Sequence, residues 1–158
     1  MFTATDTDND LINPTGFTID RETNTIRFMR AFDAPSIRVF EAWTQPEQVS
    51  GWWDPTGERL SSCEIDLRPG GAFRFVSGHH PDRPFSGIYR EIAPPHLIVF
   101  DANGAVGRVM LDEAAGRTRM TVEIQCQSGE HLDQYMQMGV HLGTSRTLDN
   151  LVAFISRG

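Results

Sequence analysis

The feature that most constrains this chain is a change in hydrophobic period. Through residues 63–127 the apolar side chains tend to recur at every second position, most cleanly where Met120, Val122, Ile124 and Cys126 alternate with Thr121, Glu123 and Gln125. A period of two sends successive side chains to opposite faces of a strand, so each such segment has one buried and one wet face. That is the pattern of antiparallel hairpins. From about residue 130 to 156 the period lengthens. At 100° per residue Leu132, Met136, Val140, Gly143, Thr144, Thr147, Leu148, Leu151 and Ile155 fall in one stripe. A helix of that length spans roughly 40 Å at 1.5 Å per residue. A long amphipathic helix that follows a run of hairpins must bury its stripe against the concave side of their sheet. The expectation is therefore an α+β fold: a curved antiparallel sheet of about six or seven strands around a long C-terminal helix.

The remaining elements fit that frame. Ile26 and Phe28 alternate with Arg27 in a strand over residues 25–32, with Phe17 and Ile19 as a short partner across the turn Glu22-Thr23-Asn24. Asp33-Ala34-Pro35 ends the strand and opens a helix carrying Val39, Phe40 and Trp43 on one side; Pro46 opens a second, which stops before Pro55. Two short helices thus follow the first strand. Residues 1–16, rich in Asp, Asn and Thr and without periodicity, read as a flexible tail. Residues 17–158 form one domain, since 158 residues suffice for one core and not for two.

Charge excludes one large class of function. The formal net charge is −7, and the 14 basic residues are scattered among 21 acidic ones, so nothing resembles the basic patch that replaces counterions on nucleic acid. No apolar run approaches the roughly 20 residues of a membrane span. The N-terminal residues show no secretory signal, and the expected location is the cytoplasm. Cys63 and Cys126 have neither C-x-x-C nor metal spacing and read as small buried hydrophobes.

Candidate sites are few. Trp52-Trp53 sits between a helix and a Pro-bounded loop, where an indole can line a pocket mouth or anchor the helices. Phe73, Phe75, Met120, Val122, Met136 and Val140 are expected to face the space between sheet and helix. Such side chains line cavities and fill ordinary cores alike. Gly139 and Gly143 lie one turn apart on the long helix, each costing about 1 kcal/mol relative to Ala there. For Gly143, beside Thr144, a ligand against bare backbone is the favoured reason; for Gly139 it is close packing on the sheet. His79-His80-Pro81-Asp82 reads as a solvated loop, because adjacent residues on an extended chain point in opposite directions. His131 and His141 are about 15 Å apart along the helix, too far to share a metal. Glu64, Asp66 and Arg68 read as ion pairs on a wet strand face. No nucleotide loop, nucleophile elbow or metal-ligand set is present, so no cofactor, metal or catalytic residue is expected.

The element order and its motifs resemble the START-like (SRPBCC) superfamily, and within it the small bacterial form of the family named after the activator of the Hsp90 ATPase. The resemblance rests on Arg30-Ala31-Phe32-Asp33-Ala34-Pro35, Val39-Phe40-Glu41-Ala42-Trp43-Thr44-Gln45-Pro46-Glu47, Trp52-Trp53-Asp54-Pro55 and Asp66-Leu67-Arg68-Pro69-Gly70-Gly71. Phe85-Ser86-Gly87-Ile88-Tyr89, Pro94-Pro95-His96-Leu97, Gly139-Val140-His141-Leu142-Gly143 and Leu148-Asp149-Asn150-Leu151 extend it to the C-terminus. It implies a helix-grip (Bet v 1-like) fold enclosing a pocket. Thr144 stands where the family usually has an aromatic, and Leu142 where an acid is common, so no ligand type carries over. The implied function is binding or sequestration of a small apolar molecule, with Trp52, Trp53, Phe73, Phe75, Met120, Val122, Met136, Val140, Gly143 and Thr144 as candidate contacts. A cyclase- or dehydratase-type enzyme using the same pocket and a protein-interaction or co-chaperone-like module are the alternatives. The expected assembly is a monomer or homodimer.

Overall fold

The structure, a computed structural model, describes residues 16–157. Up to residue 15 the expected tail lies outside the described residues. Gly16 is held, its carbonyl accepting a hydrogen bond from Arg30 Nη1 at 2.8 Å. The chain runs β1 (Thr18–Asp20), β2 (Thr25–Phe32), α1 (Ser36–Thr44), α2 (Pro46–Ser50), β3 (Ser62–Ile65), β4 (Ala72–Val76), β5 (Phe85–Ala93) and β6 (Leu97–Ala102). It continues through β7 (Ala105–Ala114), β8 (Arg117–Gln125), α3 (Gly129–Gln137) and α4 (Val140–Ser156). Among the described residues the strands make one antiparallel sheet of eight, in the order β1-β2-β8-β7-β6-β5-β4-β3. That is slightly more than the six or seven expected, and the open, curved sheet grips the C-terminal helix as the alternation predicts.

Register fixes which side chains meet the helix. β8 places Met120, Val122 and Ile124 opposite Arg30, Phe28 and Ile26 of β2, while Glu123 pairs with Arg27 on the other face at 2.9 Å. On the helix side, Ile26, Phe28, Val109, Met120, Leu132, Leu148 and Leu151 are essentially inaccessible. β3 ends at Ile65, so Asp66 and Arg68 lie beyond it in the turn, where Arg68 Nε bonds the Asp66 carboxylate at 3.0 Å. α1 has no side-chain cap of its own; Glu113 of β7 accepts from the Ser36 N–H at 2.8 Å and satisfies one of its free donors.

Two details differ from the sequence pattern. The C-terminal helix is in two pieces, because Gly139 takes φ +77°, a left-handed conformation that interrupts the helical ladder. Gly139 is therefore a backbone hinge between α3 and α4 and not a point of close packing: a Cβ there would meet nothing within 4 Å. As expected, Ile19 lies in a short partner strand, β1, paired with Ile26, and the two short helices follow the strand over residues 25–32. Finally, β6 and β7 are joined by a tight Asn103-Gly104 hairpin with φ +54° and +79°, which extends β7 back to Ala105.

Candidate functional site

Between the concave face of the sheet and α4 lies a cavity of about 360 Å³. Its walls come from four places: the end of α1 and the segment after α2 (Trp43, Trp53), strands β5–β8 (Phe85, Phe100, Val122), α3 (Tyr135) and the first half of α4 (Val140, Thr144). Pockets of this size hold small organic ligands. A much smaller void of about 20 Å³ adjoins it and shares the Trp43, Trp53, Phe85 and Phe100 walls.

Glycine makes the space. Gly107 on β7 faces Phe100 on β6, and a Cβ at 107 would overlap the Phe100 ring, so the missing side chain lets that ring lie down on the sheet. Gly87 does the same for Phe73, whose Cζ would lie 2.6 Å from a Cβ at 87. Across the cavity, Gly143 of α4 lines the wall, and a Cβ there would meet nothing within 4 Å. The cavity is thus roofed in part by bare helix backbone.

The aromatic side chains are locked to one another. Trp53 stands with its ring 4.9 Å from Phe75 and 5.1 Å from Phe85, and Trp43 packs edge-on to Trp52 at 4.9 Å. Polar tips fix the indoles: Trp43 Nε1 donates to Met120 Sδ at 3.3 Å and Trp52 Nε1 to the Ala42 carbonyl at 2.9 Å. Thr147 of α4 donates to the Trp53 carbonyl at 3.0 Å, tying the aromatic wall to the helix. At the opposite end the Tyr135 hydroxyl donates to the Asn103 carbonyl at 2.9 Å and straps α3 to the β6–β7 turn. Asn103 and Met138, both exposed, form the rim there.

The lining carries almost no charge. Its one formally charged residue, Glu123, directs its carboxylate to Arg27 on the convex face. Thr144 and Asn103 present polar side chains that have no partner among the described residues. Burial pushes the Tyr135 phenol above its ordinary value, and that of Tyr89 beside the small void still higher. The thiols of Cys63 and Cys126 are raised for the same reason, so neither is an activated nucleophile. No cluster of three metal-ligating side chains occurs among the described residues.

Of the residues singled out by sequence, Trp53, Val122, Val140, Gly143 and Thr144 line the cavity. Trp52 does not: it is fully buried between the short helices, the anchoring role that sequence left open beside the pocket one. Met120 is fully buried beneath Trp43. Phe73 and Phe75 sit one layer back, around the small void behind Trp53 and Phe85. Met136 is replaced in the wall by Tyr135 and Met138, because the break at Gly139 changes the phase of α3 relative to α4. Trp43, Phe85, Phe100, Tyr135 and Met138 were not among the expected contacts. Phe100 carries a signal in its glycine neighbour, since it lies directly opposite Gly107 in the register of β6 and β7.

The model of the activator of Hsp90 ATPase homolog 1-like family matches residues 33–156, which takes in both short helices, strands β3–β8 and the whole C-terminal helical segment. The chain belongs to this family. Solved structures share the AHSA1-like fold. Protein NE0264 from Nitrosomonas europaea is 23% identical, with a TM-score of 0.77 over 88% of this chain and 97% of its own. Protein Ms6760 from Mycobacterium smegmatis is 22% identical, with a TM-score of 0.76 over 89% and 96%. CalU16 from Micromonospora echinospora is 26% identical, with a TM-score of 0.62 over 84% of this chain and 76% of its own. No curated protein matches the sequence. Among the described residues of this AHSA1-like chain, no helix is long and apolar enough to cross a membrane.

Proposed function

We propose that the protein binds a small apolar molecule in the cavity between the sheet and α4, without transforming it. The observation that carries this reading is an apolar cavity of about 360 Å³ whose helix wall includes Gly143, where a side chain would meet open space. A chain selected only for a solid core gains by filling such space, because unfilled volume costs roughly 24 cal/mol per Å³. Against catalysis stands the lining itself. Its hydroxyls and amide are neutral, burial raises the pKa of its tyrosine further, and its one carboxylate among the described residues, that of Glu123, is turned to Arg27.

Titration with N-phenyl-1-naphthylamine, a neutral apolar fluorophore, tests the reading by calorimetry and fluorescence together. The expected result is saturable binding at one probe per chain, lost in Gly143→Leu, whose side chain enters the cavity. Absence of saturable binding by folded protein, or binding unaffected by Gly143→Leu, would show that the cavity is not a binding site.

A further inference from the structure

The charge distribution around the cavity restricts its ligand further. The arginines of β2 and β7 are turned away or already engaged. Arg27 and Arg108 lie on the convex face, bound to Glu123 and Gln125. Arg30 lies on the helix side, but its guanidinium is consumed by Asp149, Ser145 and the Gly16 carbonyl, and it does not reach the cavity wall. Among the described residues no basic side chain appears in the wall. An anionic head group placed inside would therefore lose its hydration without gaining a cation or a converging set of donors, and an unpaired buried charge is strongly disfavoured.

One polar residue of the helix wall, Thr144, has no side-chain hydrogen-bond partner among the described residues. The hydroxyl of Thr144 stands beside the bare backbone of Gly143, one turn before Thr147 and Leu148. Thr147 is committed to the Trp53 carbonyl and Tyr135 to the Asn103 carbonyl. Thr144 is left as a neutral group able to donate and to accept. A hydroxyl or carbonyl on the ligand satisfies it, and an otherwise apolar ligand leaves it unpaired.

Resting on the binding reading above, we propose that the cavity selects uncharged apolar molecules bearing one neutral hydrogen-bonding group, received by Thr144, and excludes anionic ones such as free carboxylates, sulfonates and phosphates. Thr144 is a specificity-determining contact and has no part in a reaction.

Two matched comparisons by calorimetry test this on the whole chain. The first sets N-phenyl-1-naphthylamine against 1-anilinonaphthalene-8-sulfonate, which has the same rings plus one sulfonate. That sulfonate lies beside the amine in mid-molecule and cannot stay in water while both rings are buried. The neutral probe should bind at least about 30-fold more tightly, as an unpaired buried charge demands. Affinities within threefold of each other would overturn the exclusion of anions. If neither probe binds, the binding reading itself has failed. The second sets 2-naphthol against naphthalene, in the native protein and in Thr144→Val, a near-isosteric change. A single neutral hydrogen bond should favour 2-naphthol by about three- to tenfold in the native protein, and the advantage should vanish in the variant. An advantage that survives in Thr144→Val would remove Thr144 from the role. A melting temperature unchanged by the substitution separates this loss from unfolding.

Discussion

At the scale of single residues, the structure turns on side chains that are missing. Gly143 sits at the end of the first turn of α4 with open space beside it, so the helix penalty of glycine is not offset by close packing. Replacing it by alanine should stabilise the protein by about 0.5–1 kcal/mol, since the backbone there is ordinary helix and the methyl group meets nothing. Gly143→Leu should leave stability within about 1 kcal/mol of native while abolishing probe binding. Denaturant melts of both variants decide the matter; a loss on Gly143→Ala would mean that the helix packs more closely than the cavity implies. Gly107 behaves differently, because its methyl would strike the Phe100 ring. These distinctions show what sequence could and could not give at this scale. The helical stripe assigned Val140, Gly143 and Thr144 to the inner face, and these three line the cavity. Periodicity reports only that a side chain points inward, so it could not separate Val122, which meets the cavity, from Met120, which is sealed beneath Trp43.

Among elements, the least expected feature is the way α4 is fastened to the sheet. A stripe of Leu148, Leu151 and Ile155 supplies the apolar contact, yet its N-terminal half is polar or small and borders a cavity. Arg30 makes up the deficit. Its side chain, only 10% exposed, reaches from β2 to Asp149, to the Ser145 hydroxyl and backbone, and to the Gly16 carbonyl. Arg30→Ala should cost about 2–3 kcal/mol, because it strips charge-assisted hydrogen bonds from the buried Ser145 and the half-buried Gly16 carbonyl at once. Asp149→Ala should cost less than about 1 kcal/mol, since that carboxylate is 67% exposed and the pair is screened by water. Equal losses in denaturant melts would show that the ion pair, and not the capture of helix and N-terminal backbone, holds the helix. Strand identity and order were legible because alternation is a local signal repeated over many residues. The break between α3 and α4 was not. A glycine inside an apolar stripe reads the same whether it bends the chain or makes room, and only the observed φ of +77° separates the two.

At the scale of the whole molecule, helices, sheet and cavity wall converge on Asp54. The residue follows Trp53, and its carboxylate accepts from Ser77 Oγ at 2.6 Å, just past β4, and from the Thr56 N–H and hydroxyl at 2.9 Å each. Its own carbonyl accepts from Asn150 of α4 at 3.0 Å. One buried residue thus joins the exit of the short helices, the far side of the sheet and the long helix. Burial alone would raise its pKa, but the hydrogen bonds from Ser77 and Thr56, helped by the nearby His79, outweigh it and hold the carboxyl below the ordinary value. A carboxyl depressed in the folded state stabilises the fold above its unfolded pKa of about 3.9, and that contribution is lost as the pH falls through the lower, folded value. The native protein should therefore lose stability below about pH 4 more steeply than Asp54→Asn, which binds no proton at this position and starts from a lower stability at neutral pH. Melting temperatures of both proteins from pH 7 to pH 2.5 give the comparison. Because Asp54 adjoins Trp53, probe affinity in the native protein should fall over the same acid range, ahead of global unfolding. Parallel pH profiles for the two proteins would show that the convergence at Asp54 is structural coincidence and that acid acts elsewhere.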